Sequence, residues 1–336
     1  MPRQSRIDTP GALHHIMARG IEGGNIFRND DDRGHFLERL ENILKETETS
    51  CYAWALIPNH FHLLLRTGLT PITTVMRRLL TGYAQWYNRR YRRQGHVFQN
   101  RYKSILCQED KYFLELIRYI HLNPVRAKIV EDLDNLGSYR YSGHSVIMGK
   151  NRNDWQDINA VLVMFGEKKG QARNAYKTFV KKGISEGKRS DLTGGGLLRS
   201  AGGWEGVKTL REEKVYQRND ERILGDGDFV SRILSLADDK MKKEYELRSL
   251  GMDLNAVASR VSEVLNIKIK DVWAKGRYKK TVEARSLLCY WAMKELGISM
   301  SSLSKKLGIV LSAVSDSVKR GQMIVEDKGL NLKKSP

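Results

Sequence analysis

Residues 57 to 66 read IPNHFHLLLR and residues 117 to 126 read IRYIHLNPVR. On a strand the side-chain period is two, so His60 and His62 share one face while Phe61, Leu63 and Leu65 take the other. Two imidazoles then point together from a sheet whose opposite face is core. Alone, an HxH pair reads as two polar residues on a solvated face, but the second stretch alters that reading. It ends a helix whose apolar stripe is Phe113, Leu114, Ile117 and Ile120, and Tyr119 and Asn123, four apart, stack beside that stripe. A phenol, an amide oxygen and two imidazoles can build a site in which His60, His62 and Asn123 hold a divalent cation and Tyr119 attacks phosphorus. The cation would polarise the scissile phosphate as a Lewis acid and orient it for in-line attack. A phenol with an ordinary pKa of about 10 is a weak nucleophile, so its deprotonation needs the cation or a nearby base. His121 lies on another helix face and reads as a packing or surface residue.

The elements that must position these groups follow from pattern. Residues 13 to 18 predict a first strand, followed by a glycine-rich turn over Gly20 to Gly24. A helix follows from Asp31 to Glu46, with Phe36, Leu37, Leu40, Ile43 and Leu44 at helical spacing. Cys51 to Ile57 and His60 to Thr67 predict a hairpin turning at Pro58-Asn59. Thr70-Pro71 then starts a helix to about Arg93, striped by Ile72, Val75, Met76, Leu79, Leu80, Tyr83 and Trp86, with Gly95 ending it. His96 to Leu106 predicts a strand, and Asp110 caps a helix that stops before Pro124. The order β-α-β-β-α-β-α predicts an α+β domain over residues 1–148, a mainly antiparallel sheet with helices packed on it.

Residues 149–248 read as a connector broken by glycine clusters at Gly194 to Gly196 and Gly202-Gly203. Residues 249–322 read as an all-α domain. A short helical pair around Ser301 to Leu307 and Ser312 to Lys319, split by Gly308, predicts a helix-turn-helix. Leu303, Leu307, Ile309, Val314 and Val318 would form its core, with Ser312, Ser315, Lys319 and Arg320 outward. Residues 323–336 read as a basic tail.

Charge indicates the partner. Of 336 residues, 58 are basic and 39 acidic, a net +19 with a pI near 9.8, which points to a polyanion. Residues up to Lys150 hold 22 basic and 15 acidic side chains and the rest hold 36 and 24, so both halves share the excess. From Cys51 to Gln108 there are nine basic residues and no acidic one: Arg66, Arg77, Arg78, Arg89, Arg90, Arg92, Arg93, Arg101 and Lys103. A solvated helix face normally mixes signs, so this stretch predicts phosphate binding, with Tyr91 as a base-stacking candidate. The alternative is that the arginines solubilise the surface and pair with acids elsewhere. Cys51, Cys107 and Cys289 are odd in number and far apart, matching neither a disulfide framework nor a zinc site. They predict reduced thiols in a cytoplasmic protein. No stretch has the pattern of a signal peptide or a membrane span, so no membrane partner is expected.

IPNHFHLLLR, GHVFQNRYKS (residues 95 to 104) and RYIHLNPVRA (residues 118 to 127), in this order, resemble the IS200-like HUH single-tyrosine transposases. Within that group they resemble the REP-associated tyrosine transposase branch, over roughly residues 5 to 148. The resemblance implies a ferredoxin-like HUH fold in a bacterial, nucleoid-associated enzyme. It implies cleavage and rejoining of single-stranded or hairpin DNA through a 5′-phosphotyrosine link, with a free 3′-OH and bound Mg²⁺ or Mn²⁺. By motif position Tyr119 becomes the nucleophile, His60 and His62 the HUH pair, and Asn123 the third ligand. Insertion-sequence members commonly carry glutamine at that last position, so the ligand here is one methylene shorter. Residues 252 to 321 resemble, more weakly, the DNA-binding domain of the bacterial replication initiator DnaA, which implies duplex binding. They depart from it where VLSAVSD (Val310 to Asp316) replaces a GRDHTTV-like segment. Both a monomer and a homodimer are compatible with these resemblances. Two other classes compete: a DNA-binding regulator with an inert N-terminal site, and a metal-dependent nuclease that uses water.

Overall fold

A computed structural model describes residues 7–8, 11–68, 70–187, 189, 192, 220–237, 252–274, 276, 278–298 and 300–332. The glycine clusters at Gly194 to Gly196 and Gly202-Gly203 lie outside the described residues. The chain divides into two compact units, Met1–Ile233 and Leu234–Pro336.

The first unit is the expected α+β fold. Strands β1 (Leu13–Arg19), β2 (Ser50–Ile57), β3 (His60–Arg66) and β4 (Lys103–Cys107) alternate with helices α1 (Asp30–Thr47), α2 (Ile72–Arg90) and α3 (Glu109–His121). Their order in the sheet is β2-β3-β1-β4, all antiparallel. The sheet does not stop there. A fifth strand, β5 (Ile223–Leu224), from the stretch read as a connector, pairs parallel with Leu106 and Cys107 at the β4 edge.

Strand parity sorts the side chains. Ile16, Ala18, Trp54, Leu56, Phe61, Leu63 and Leu65 face α1 and α2, where Phe36, Leu40, Ile43, Val75, Met76, Leu79 and Tyr83 close one core. Leu13, Ala53, Ala55, Leu64, Ile105 and Cys107 face the other way, against Phe113, Leu116, Ile117 and Ile120 of α3. That second core also takes in Leu133 and Leu136 of α5 (Leu133–Ser138), Ile147 of α6 (Gly143–Ile147) and Val161 and Leu162 of α7 (Ile158–Leu162). Ala172, Tyr176 and Val180 of α8 (Lys169–Lys182) complete it. Residues just beyond 148 are therefore part of the first unit. The stripe of α8 is only one residue wide per turn among lysines and arginines, which is why its pattern is weak in the sequence.

Three local expectations shift. The stretch from His96 to Tyr102 is not strand: Gly95 and Asn100 take left-handed conformations (φ 91° and 60°), and only Phe98 bridges to the sheet, opposite Gly20. Helix α2 ends at Arg90, because Arg92 is also left-handed (φ 49°). Asp110 lies inside the first turn of α3, where an acid favours the helix N-terminus, and Gln108 is the N-cap.

The second unit is helical: α9 (Leu254–Leu265), α10 (Ile269–Val272), α11 (Lys279–Lys294), α12 (Met300–Leu307) and α13 (Leu311–Lys328). Leu303, Leu307, Val314 and Val318 are buried together with Leu287, Leu288 and Trp291, and Ile309 packs at the margin. Helix α13 runs well past Lys319, into the stretch read as a tail. Gly321 makes its packing on α11 possible, since a Cβ there would lie 2.2 Å from the Ser286 carbonyl oxygen. Among the described residues no helix is long and apolar enough to cross a membrane, and all three cysteines are free and buried.

Candidate functional site

The α3 face of the sheet carries the site. In the β1–β3 ladder Met17 pairs with His62 and Arg19 with His60, so His15, Met17, Arg19, His60 and His62 all project toward that face. Ring centroids of His60 and His62 are 5.3 Å apart. His62 and His15 are also 5.3 Å apart, their ring planes 28° from parallel and their edges in contact. The last turn of α3 brings the Tyr119 ring edge-on to both, 5.9 Å from His62 and 5.9 Å from His15. Distant segments thus assemble a phenol against three imidazoles. His15 and His62 are buried, whereas His60 and Tyr119 are half-buried and open to a substrate.

Burial sets the electrostatics. His62 titrates well below the ordinary imidazole range because it is shut from water, with His15 and His60 adding to the effect. His60 is lowered by burial and then by the Arg19 guanidinium. Both rings are therefore neutral at pH 7, the form that ligates metal. Burial raises the Tyr119 phenol, and Arg126 opposes that rise. The Arg126 guanidinium carbon lies 5.0 Å from the Tyr119 ring centroid, and its Nη1 donates to the Tyr119 carbonyl at 3.3 Å. Helix α4 (Asn123–Arg126) starts immediately after α3 and carries both Arg126 and Asn123.

Asn123 is buried, and its amide nitrogen donates to the carbonyls of Tyr119 (2.9 Å) and Ile120 (3.4 Å). Neither of these bonds uses its Oδ1. Among the described residues no three His, Cys, Asp or Glu side chains converge as a metal cluster. Neutral imidazoles and an amide oxygen are donor types that a divalent cation accepts. His121, two residues from Tyr119, is a packing residue: it is fully buried and its Nδ1 meets the Tyr176 hydroxyl at 2.7 Å.

The basic stretch divides into two kinds of arginine. Arg66 pairs with Glu109 and Arg78 with Glu46, while Arg90 meets Asp31 at 2.8 Å. Arg89, Arg92 and Arg101 are exposed and have no ion pair among the described residues. Arg93 lies 5.8 Å from the Tyr87 ring, Lys103 is exposed, and Arg77 lies on α2 with an interaction of its own. Tyr91 is half-buried: its hydroxyl donates to Asp32 at 2.9 Å and Arg28 covers its ring at 4.1 Å. In the second unit Ser312 is exposed and Ser315 and Lys319 are half-buried, while Arg320 turns back toward Ser286 and Ser317, 3.4 Å from each hydroxyl. Sequence reasoning missed His15, Arg126 and Asn59. Alternation along LHHIMAR could have marked His15 as a face-mate of Met17, but which strand lies beside it is a tertiary fact.

Residues 11–123 match the model of a family described as Transposase IS200 like. The N-terminal region is thus IS200-transposase-like, and the match covers about a third of the chain, with His15, His60, His62, Tyr119 and Asn123 all inside it. Among solved structures, the chain is similar to one described as "Structure of the REP associates tyrosine transposase bound to a REP hairpin". The likeness has 14% sequence identity and a TM-score of 0.38, and covers 50% of this chain and 98% of that one. No curated protein matches the chain.

Proposed function

We propose that the protein is a transposase that cleaves and rejoins single-stranded DNA, on repeat or hairpin substrates, through a 5′-phosphotyrosine at Tyr119. One observation carries the reading: Tyr119 stands edge-on to His62, with His60 beside it, inside the region that matches the IS200-like transposases. His60 and His62 through Nε2 and Asn123 through Oδ1 would hold Mg²⁺ or Mn²⁺. When bound, the ion supplies Lewis-acid polarisation of the scissile phosphate.

The remaining work falls to the chain. The Tyr119 hydroxyl gives its proton to water and its oxygen attacks phosphorus, the O–P bond to tyrosine forms, and the bond from phosphorus to O3′ breaks. O3′ takes up a proton and leaves as a free hydroxyl. Rejoining reverses these changes with an incoming 3′-OH. Arg126 favours the phenolate through its positive charge, against the burial that opposes it. Arg89, Arg92 and Arg101 track the DNA backbone, with Arg93 and Lys103 near them. Helix α13 of the second unit reads adjoining duplex from Ser312, Ser315 and Lys319, with Arg320 beside them.

The test is to mix the protein with labelled single-stranded DNA and Mn²⁺ and to run a denaturing gel. Label attached to protein in the native chain and absent from Tyr119→Phe is the expected result. Cleavage without attachment, retained in Tyr119→Phe, would favour a nuclease that uses water. Binding with no cleavage would favour a regulator.

A further inference from the structure

Each candidate ligand imidazole has its Nδ1 engaged by one neighbour, and for His60 the direction of that bond is forced. Asn59 stands in the two-residue turn Pro58-Asn59 between β2 and β3, and its Nδ2 lies 3.2 Å from the carbonyl oxygen of Gly23. A carbonyl only accepts, so the amide NH₂ faces Gly23 and Oδ1 faces His60, 2.7 Å from its Nδ1. An amide oxygen also only accepts. The hydrogen therefore sits on His60 Nδ1, and a neutral ring with one N–H has its lone pair on Nε2. Gly23 is left-handed (φ 75°), a conformation that suits glycine, so the relay starts from a residue fitted to that turn.

His62 repeats the arrangement with a different partner. Its Nδ1 lies 3.0 Å from Nε2 of His15, which is itself fully buried on β1. At this distance the two ring nitrogens share one hydrogen, in one of two directions. If His15 donates, His62 carries its own hydrogen on Nε2 and cannot ligate. If His62 donates, its Nε2 keeps the lone pair and His15 is protonated on Nδ1. Only the second direction matches the tautomer that Asn59 imposes on His60.

We propose that Asn59 and His15 are the positioning residues of the histidine pair, each accepting a hydrogen bond from Nδ1 and so keeping Nε2 of His60 and of His62 as the ligating atoms. The inference rests on the reading of His60 and His62 as metal ligands. Such outer partners fix ring orientation and tautomer, and their loss typically costs about 10- to 100-fold in metal affinity.

The test uses the full-length protein labelled with ¹⁵N-histidine, metal-free, with the signals of His60 and His62 assigned by loss in His60→Ala and His62→Ala. Long-range ¹H–¹⁵N spectra should show both rings protonated on Nδ1. Asn59→Ala should release the His60 tautomer and His15→Phe that of His62, and each should weaken Mn²⁺ binding, followed by electron paramagnetic resonance, by about 10- to 100-fold. His15→Gln sets an amide oxygen where the His15 Nε2 lies and should keep the His62 tautomer and bind Mn²⁺ within a few fold of native. A native His62 protonated on Nε2, or His15→Phe and Asn59→Ala binding Mn²⁺ as tightly as native while His60→Ala and His62→Ala do not, overturns the inference alone. Native Mn²⁺ affinity in His60→Ala and His62→Ala overturns the ligand reading itself. The native spectrum needs no variant, so a failure of His15→Phe to fold leaves the decisive measurement in place.

Discussion

Acid should unfold the first unit through histidines that play no part in the proposed chemistry. His14 and His144 are 0% and 1% exposed, and burial holds both pKa values down at about 4. In the unfolded chain each titrates near 6.5. Below that value the unfolded state takes up protons that the folded state refuses, so stability is intact above about pH 6.5 and is lost as the pH falls toward 4. At pH 5 each histidine should have removed about 2 kcal/mol, and by pH 4 about 3 kcal/mol. Against a typical stability of about 5 to 15 kcal/mol, the pair is enough to matter. The clean comparison is His144→Asn, whose amide can still meet the Tyr176 hydroxyl that now lies 2.9 Å from His144 Nδ1. Urea unfolding followed by tryptophan fluorescence at pH 7.5 and pH 5.0 measures the loss in each protein. The second unit is identical in both, so it cancels in the difference. The native chain should lose about 2 kcal/mol more than the variant between the two pH values. Equal losses would falsify the claim that His144 is kept neutral by burial.

The other expectations concern separate parts of the molecule. Arg126→Met removes the cation that favours the Tyr119 phenolate, so the rate of adduct formation at pH 7 should fall on the order of 10-fold. Its pH profile should also move to higher pH, and an unmoved profile would remove Arg126 from the reaction. Replacing Arg89, Arg92 and Arg101 together by alanine should weaken single-strand binding and flatten the slope of log affinity against log salt by about 2. Replacing Arg78 and Arg90, which already pair with Glu46 and Asp31, should change the slope far less. An equal effect from the two sets would contradict the division between free and paired arginines. Gly321→Ala places a methyl group against the Ser286 carbonyl and the Tyr290 Cβ at 2.6 Å, so the melting transition of the second unit should drop on the order of 10 °C. A melting curve that matches the native one would mean that α11 and α13 can separate without cost.

How much of this could be read from residues alone follows from the range of each interaction. The alternation of HFHLLLR along one strand is a local property, and it placed His60 and His62 on the face opposite Phe61, Leu63 and Leu65, as the ladder with β1 bears out. The stripe of α3 likewise located Tyr119 beside the core. Strand β5 was invisible because two residues, Ile223 and Leu224, carry no period, and they become strand only by finding the open edge of β4. The acid-free stretch from Cys51 to Gln108 reads as uniformly basic, yet Asp31, Asp32 and Glu46 reach Arg90, Tyr91 and Arg78 from α1.

The same distinction explains why the imidazoles were legible and their partners were not. A metal ligand announces itself by type and spacing, since few side chains can donate a lone pair and two of them must share a face. The residue that orients a ligand needs only one acceptor at about 3 Å, which an asparagine, a carbonyl or another histidine can supply. Asn59 looked like half of a turn signal and His15 like a polar residue in a strand. Each has its geometric relation to the pair only because β3 turns back on β2 and lies between β2 and β1. The proposed chemistry of the site is therefore written in short motifs, whereas the protonation pattern that would make those motifs competent is a property of the sheet.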